Sequence, residues 1–149
     1  MFEIYIPVKP HVKSFLMRRY GEDYVVNKKN FLGILLLELL NTDISKLDLD
    51  CKPSECYKLQ IPELYFNTKG FNIDKNKLKF LGRCLERLFF DDFYNFVDSE
   101  LERGGLSAYK SVHLYLQLHK ISENELKLES MYRNYQRHSR ENIKSKKTL

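Results

Sequence analysis

The chain has no tryptophan, a single alanine (Ala108), three cysteines and six scattered glycines among 149 residues, and the shortages of cysteine and glycine each close off a class of structure or activity. Cys51, Cys56 and Cys84 are odd in number and too few for a disulfide-built scaffold. With four dispersed histidines they also leave a closed zinc site without a recognisable fourth ligand. The glycines nowhere gather into a phosphate-cradling loop, no Gly-x-Ser-x-Gly occurs, and His113 and His119 are not at i, i+4 spacing. No cofactor and no small-molecule ligand is therefore expected. The longest apolar run, Phe31–Leu40, contains Glu38 and falls well short of the roughly 20 residues that a membrane-spanning helix needs. Met1-Phe2-Glu3 has neither a basic start nor an apolar stretch, so no secretory leader is expected and a reducing, cytoplasmic setting fits.

What is present suffices for a packed core. Apolar residues are 43% of the chain, including ten Phe and ten Tyr, which excludes a disordered or collagen-like polymer. Twenty-five Lys and Arg stand against 20 Asp and Glu, a net charge of +5. By position the imbalance is uneven: residues 1–50 carry seven of each sign, residues 51–100 eight of each, and residues 101–149 ten basic against five acidic. The excess lies in the last third.

Hydrophobic periodicity predicts an α+β fold, mainly helical, with a small antiparallel sheet and hairpin in the N-terminal half and a helix-turn-helix at the C-terminus. Phe2, Ile4 and Ile6 alternate with Glu3, Tyr5 and Pro7 as in a half-buried strand. Pro10 suits a first helical turn, Val12, Phe15, Leu16 and Tyr20 recur at helical spacing, and Gly21 stops the helix. Asn27 is read as the cap of a second helix over residues 28–40, apolar around most of its circumference and so placed in mid-core. Residues 41–56 read as a loop. Tyr57, Leu59 and Ile61 form a strand that a turn at residues 67–70 would fold back onto residues 71–73. From Asp74, read as an N-cap, a helical stretch runs to about Arg103, with Asp91-Asp92 as a place where it could divide, and Gly104-Gly105 ends it. Three segments follow: an α+β unit over 1–73, a connecting helix or helix pair over 74–105, and the helix-turn-helix with a basic helix and tail over 106–149.

In the last segment Ser107 can cap a helix reaching about His119. Ser122-Glu123-Asn124-Glu125 has the form of a capping box, with Ile121 and Leu126 placed as a hydrophobic staple, which predicts a linker of only two or three residues. Past Leu128 the residues sort onto two faces: Leu128, Met131, Tyr132 and Tyr135 on one, and Arg133, Arg137, Arg140 and Lys144 on the other. Lys146 and Lys147 extend the charge into a basic tail. Only Glu141 opposes six cations between Tyr132 and Leu149. Such a stripe complements phosphates, and Asn134 and Gln136, with Arg133 and Arg137, carry donors suited to base edges in the major groove. A charged helical face is ordinarily just solvated. Its single sign, its straightness and its place after a capped turn raise this one above that level.

The span from Leu106 to Arg140, SAYKSVHLYLQLHKISENELKLESMYRNYQRHSR after its leading Leu, resembles the helix-turn-helix segments of small DNA-binding proteins carried by bacterial mobile elements. The resemblance implies a duplex-DNA partner, a role in transcription regulation or as an accessory of the element, and a homodimer where half-sites are paired. The same cationic helix would equally serve a protein-interaction or assembly module docking an acidic partner. No catalytic site is expected. Asp91, Asp92, Asp98 and Glu100 are the densest carboxylate group and the one route to a metal-dependent nuclease, but their helical spacing scatters them over different faces.

Overall fold

The computed structural model describes residues 1–40, 55–65 and 75–147. Within them the order is β1 (Phe2–Val8), α1 (Pro10–Tyr20), β2 (Tyr24–Val25), α2 (Phe31–Leu40), β3 (Glu55–Ile61), α3 (Lys75–Arg103), α4 (Ala108–Leu118) and α5 (Leu128–Lys147). The chain divides into two compact units, Met1–Arg87 and Leu88–Leu149. The α+β, mainly helical class expected from the periodicity is the one observed.

In the first unit β3 is the central strand. It pairs antiparallel with β1, Ile4 opposite Leu59 and Ile6 opposite Tyr57, and parallel with β2, Tyr24 opposite Leu59. The sheet is thus mixed rather than wholly antiparallel, because residues 24–25 return to it after α1 on the free side of β3. The turn and second hairpin strand expected at residues 67–73 lie outside the described residues, as do Cys51 and the expected cap Asp74. Glu55 and Cys56, expected in a loop, begin β3.

One sheet face is dry. Ile4, Ile6 and Val8 of β1 and Tyr57, Leu59 and Ile61 of β3 are buried, as are Val12, Phe15 and Leu16 of α1, Leu32, Leu36 and Leu37 of α2, and Leu81 and Leu85 of α3. Each such side chain contributes roughly 1.5–3 kcal/mol relative to exposure. α1 runs as its sequence predicts, with Pro10 in the first turn and Gly21 at φ +89° beyond the end. α2 does not. It starts three residues later than expected, since the Asn30 side chain, not that of Asn27, accepts the Gly33 N–H at 2.9 Å, while Asn27 closes a local turn by accepting from Lys29 N–H at 2.8 Å. Nor is α2 a mid-core helix: Phe31 and Ile34 are 69% and 51% exposed.

Two glycines let backbones meet. A Cβ on Gly33 would lie 1.7 Å from the Asn27 carbonyl oxygen, and one on Gly82 2.1 Å from that of Pro7, so α3 lies directly on the end of β1. α3 is a single helix of 29 residues with no break at Asp91-Asp92. Gly104, at φ +70°, donates to the Leu101 carbonyl and ends it.

Candidate nucleic-acid interface

The second unit is built around aromatic rings. Phe93 of α3 lies 5.2 Å from the Tyr115 ring of α4 and 6.5 Å from the Tyr135 ring of α5, and Tyr115 also meets Phe89 and Phe96. Val112, Tyr115 and Leu116 of α4 and Met131 and Tyr135 of α5 are buried, so both helices turn inward the faces that their spacing assigns. Three polar contacts fix the helices in register. Tyr115 donates to Asp92 at 2.9 Å, Tyr135 to Asp98 at 2.5 Å, and the Tyr94 hydroxyl to the Asn134 side-chain carbonyl. Burial, and then the Asp98 carboxylate beside it, push the Tyr135 hydroxyl above its ordinary range. The Tyr94 ring stacks on His138 at 3.7 Å, and Tyr132 meets Tyr109 edge-on.

The link between α4 and α5 differs from expectation at both ends. Ser107 caps α4 as predicted, accepting the Lys110 N–H at 3.3 Å. At the other end Lys120 adopts φ +54°, donating to Gln117, while Ile121 N–H reaches the Leu116 carbonyl at 2.9 Å, the paired bonds of a Schellman ending. A lysine thus holds the left-handed position that glycine usually takes. Beyond it Ser122 closes one turn through its carbonyl, which accepts from Glu125 and Leu126 N–H, and that turn does not propagate. α5 begins only at Leu128, whose N–H is accepted by Glu123 at 3.2 Å. The capping box therefore starts no long helix, and residues 119–127 make a nine-residue link in place of two or three.

The cationic face stands opposite the buried one. Arg133, Arg137, Arg140 and Lys144 are all exposed, on the side of α5 away from Met131 and Tyr135. Ser130, Arg133, Gln136, Arg137 and Arg140 line an open hollow of about 480 Å³ along the helix surface. Arg133 pairs with Glu129 at 3.9 Å, and both side chains are three-quarters exposed, so the pair is weak. Asn134 is turned toward Tyr94 rather than into the stripe. Gln136 is half-buried at its edge. Lys146 and Lys147 fall in the last turn of α5, outside the residues whose side chains are described.

Family models, curated proteins and solved structures give no match to this chain.

The sequence alone did not mark Ser130 as part of the hollow, or His138 as a stacking partner of Tyr94. Nor did it show how the acids of α3 are used. Asp92 and Asp98 accept tyrosine hydroxyls and Glu100 takes Arg103. Among the described residues no three His, Cys, Asp or Glu side chains converge in a group suited to a metal ion, and no helix is long and apolar enough to cross a membrane. Counted over Leu88–Leu149, ten basic side chains meet nine acidic ones. The unit is nearly neutral in sum, with Arg103, Lys110, Lys120 and Lys127 exposed elsewhere and the remaining cations gathered on α5.

Proposed function

We propose that the chain binds duplex DNA through the exposed face of α5, as a regulator or accessory of a mobile element acting in a reducing, cytoplasmic setting. One observation carries this reading: Arg133, Arg137, Arg140 and Lys144 form a stripe with a tightly packed face behind it, so the charge is presented on a fixed support. At 1.5 Å per residue the stripe extends about 16 Å along the helix axis, enough to meet several phosphates. The free thiols Cys56 and Cys84 suit the proposed compartment.

Gel mobility shift with duplex DNA across a salt series tests it. Contact with four to six phosphates gives a slope of log K against log salt of about −4 to −5. Arg133→Ala with Arg137→Ala weakens the shift strongly without altering the thermal melt, since both side chains are exposed. An acidic protein partner in place of DNA would show as no shift at any salt concentration. A homodimer on paired half-sites belongs to the same proposal and is read from sedimentation with and without DNA.

A further inference from the structure

The distribution of charge along α5, and the contacts that hold it, say more about how a duplex would be gripped. In the helix-turn-helix mode the N-terminal residues of the recognition helix enter the major groove and touch base edges. Here that end carries three exposed carboxylates against one exposed lysine, Lys127. Glu123 and Glu125 are exposed in the link, and Glu129, also exposed, occupies the first turn beside Arg133. Facing a duplex, these carboxylates would be repelled by its phosphates. The cations of the stripe follow later, and among the described residues Arg137 and Arg140 form no ion pair. The best base-reading side chain on the helix is also engaged. Asn134 would need both its carbonyl and its amide to pair with adenine, and its carbonyl accepts from the Tyr94 hydroxyl.

We infer that α5 grips the phosphate backbone with its C-terminal half, from Arg137 onward, and that binding is consequently tolerant of sequence. This rests on the duplex reading above. Phosphates need positive charge at the right spacing, which lysine supplies as well as arginine, whereas bidentate reading of guanine needs the planar guanidinium fork.

Charge-conserving and charge-removing substitutions in the full chain separate the two. Fluorescence anisotropy is measured on two unrelated 25-bp duplexes, one rich in A·T and one in G·C, for the wild type, for Arg137→Lys with Arg140→Lys, and for Arg137→Gln with Arg140→Gln. The expected result is wild-type affinity for the two duplexes equal within about threefold. The lysine variant stays within about threefold of wild type, while the glutamine variant loses tenfold or more and its salt slope shrinks by about 2. Glu129→Gln tightens binding to both duplexes. Loss of binding in the lysine variant equal to that in the glutamine variant overturns the inference. So does enrichment of a defined motif from a randomised duplex library that Asn134→Ala then erases. In either of those cases duplex binding itself stands. Absence of wild-type binding to any duplex at low salt overturns the underlying reading and this inference with it.

Discussion

The Tyr135 hydroxyl donates to the Asp98 carboxylate at 2.5 Å, tying the inner face of α5, whose outer face carries the cations, to α3. Hydrogen bonds to charged groups contribute about 1.5–3 kcal/mol, and removing this one leaves a half-buried carboxylate short of a donor. Tyr135→Phe is expected to cost about 2 kcal/mol in urea unfolding. Where the variant remains folded, its DNA affinity should be unchanged. A loss of affinity with no loss of stability would mean that Tyr135 contacts the ligand.

Gly82 marks where α3 meets β1. A Cβ there would lie 2.1 Å from the Pro7 carbonyl oxygen, a backbone atom with little room to retreat. Overpacking of this kind costs typically 1–3 kcal/mol or more. Gly82→Ala should therefore lower the melting temperature clearly, whereas the same change at Gly105, whose nearest neighbour is the end of the Glu100 side chain at 3.8 Å, should have a small effect.

Lys120 offers a gain instead. At φ +54° its side chain crowds the backbone, a strain of roughly 1 kcal/mol that glycine does not feel. Lys120→Gly is expected to raise stability by about 0.5–1 kcal/mol in chemical denaturation. An unchanged or lowered midpoint would argue against the left-handed ending of α4.

His11 gives the fold a pH dependence of definite sign. Burial holds its pKa down at about 4, with Glu86 pulling it partly back up and Lys9 pushing it further down. The unfolded chain takes up the proton near 6.5 and the folded chain only near 4. The stability is thus complete above about 6.5 and is lost as pH falls from there to about 4, by roughly 3 kcal/mol. His11→Gln should flatten this window in urea midpoints measured between pH 4 and 7; a profile identical to wild type would remove His11 as its source.

Much of the fold was legible because its signals are local. β1 shows its alternation, α1 its Pro10 start and Gly21 stop, and α4 its Ser107 cap. The elements missed depend on distant partners. β2 is two residues long, and only β3, some thirty residues later, makes it a strand. The start of α5 was misplaced because Ser122-Glu123-Asn124-Glu125 matches a capping pattern, yet the chain uses the Ser122 carbonyl for one isolated turn and Glu123 for the later cap. Within the site the cations could be placed on one face from spacing alone, since α5 is regular. That Asn134 is held by Tyr94 could not, because the partner lies 40 residues away on another helix.

The near balance of ten cations and nine carboxylates leaves Leu88–Leu149 with little net charge, so the stripe on α5 acts through its placement more than through the sum. A uniformly basic surface approaches a polyanion in any orientation and must then search for its contact. If the partner is a duplex, a nearly neutral unit with Arg133, Arg137, Arg140 and Lys144 along the outer face of α5 would feel a torque that turns that face toward it before collision. The encounter rate would then respond to ionic strength in two ways, through the alignment of this unit and through the net attraction of the +5 chain, most of whose excess lies in Met1–Arg87.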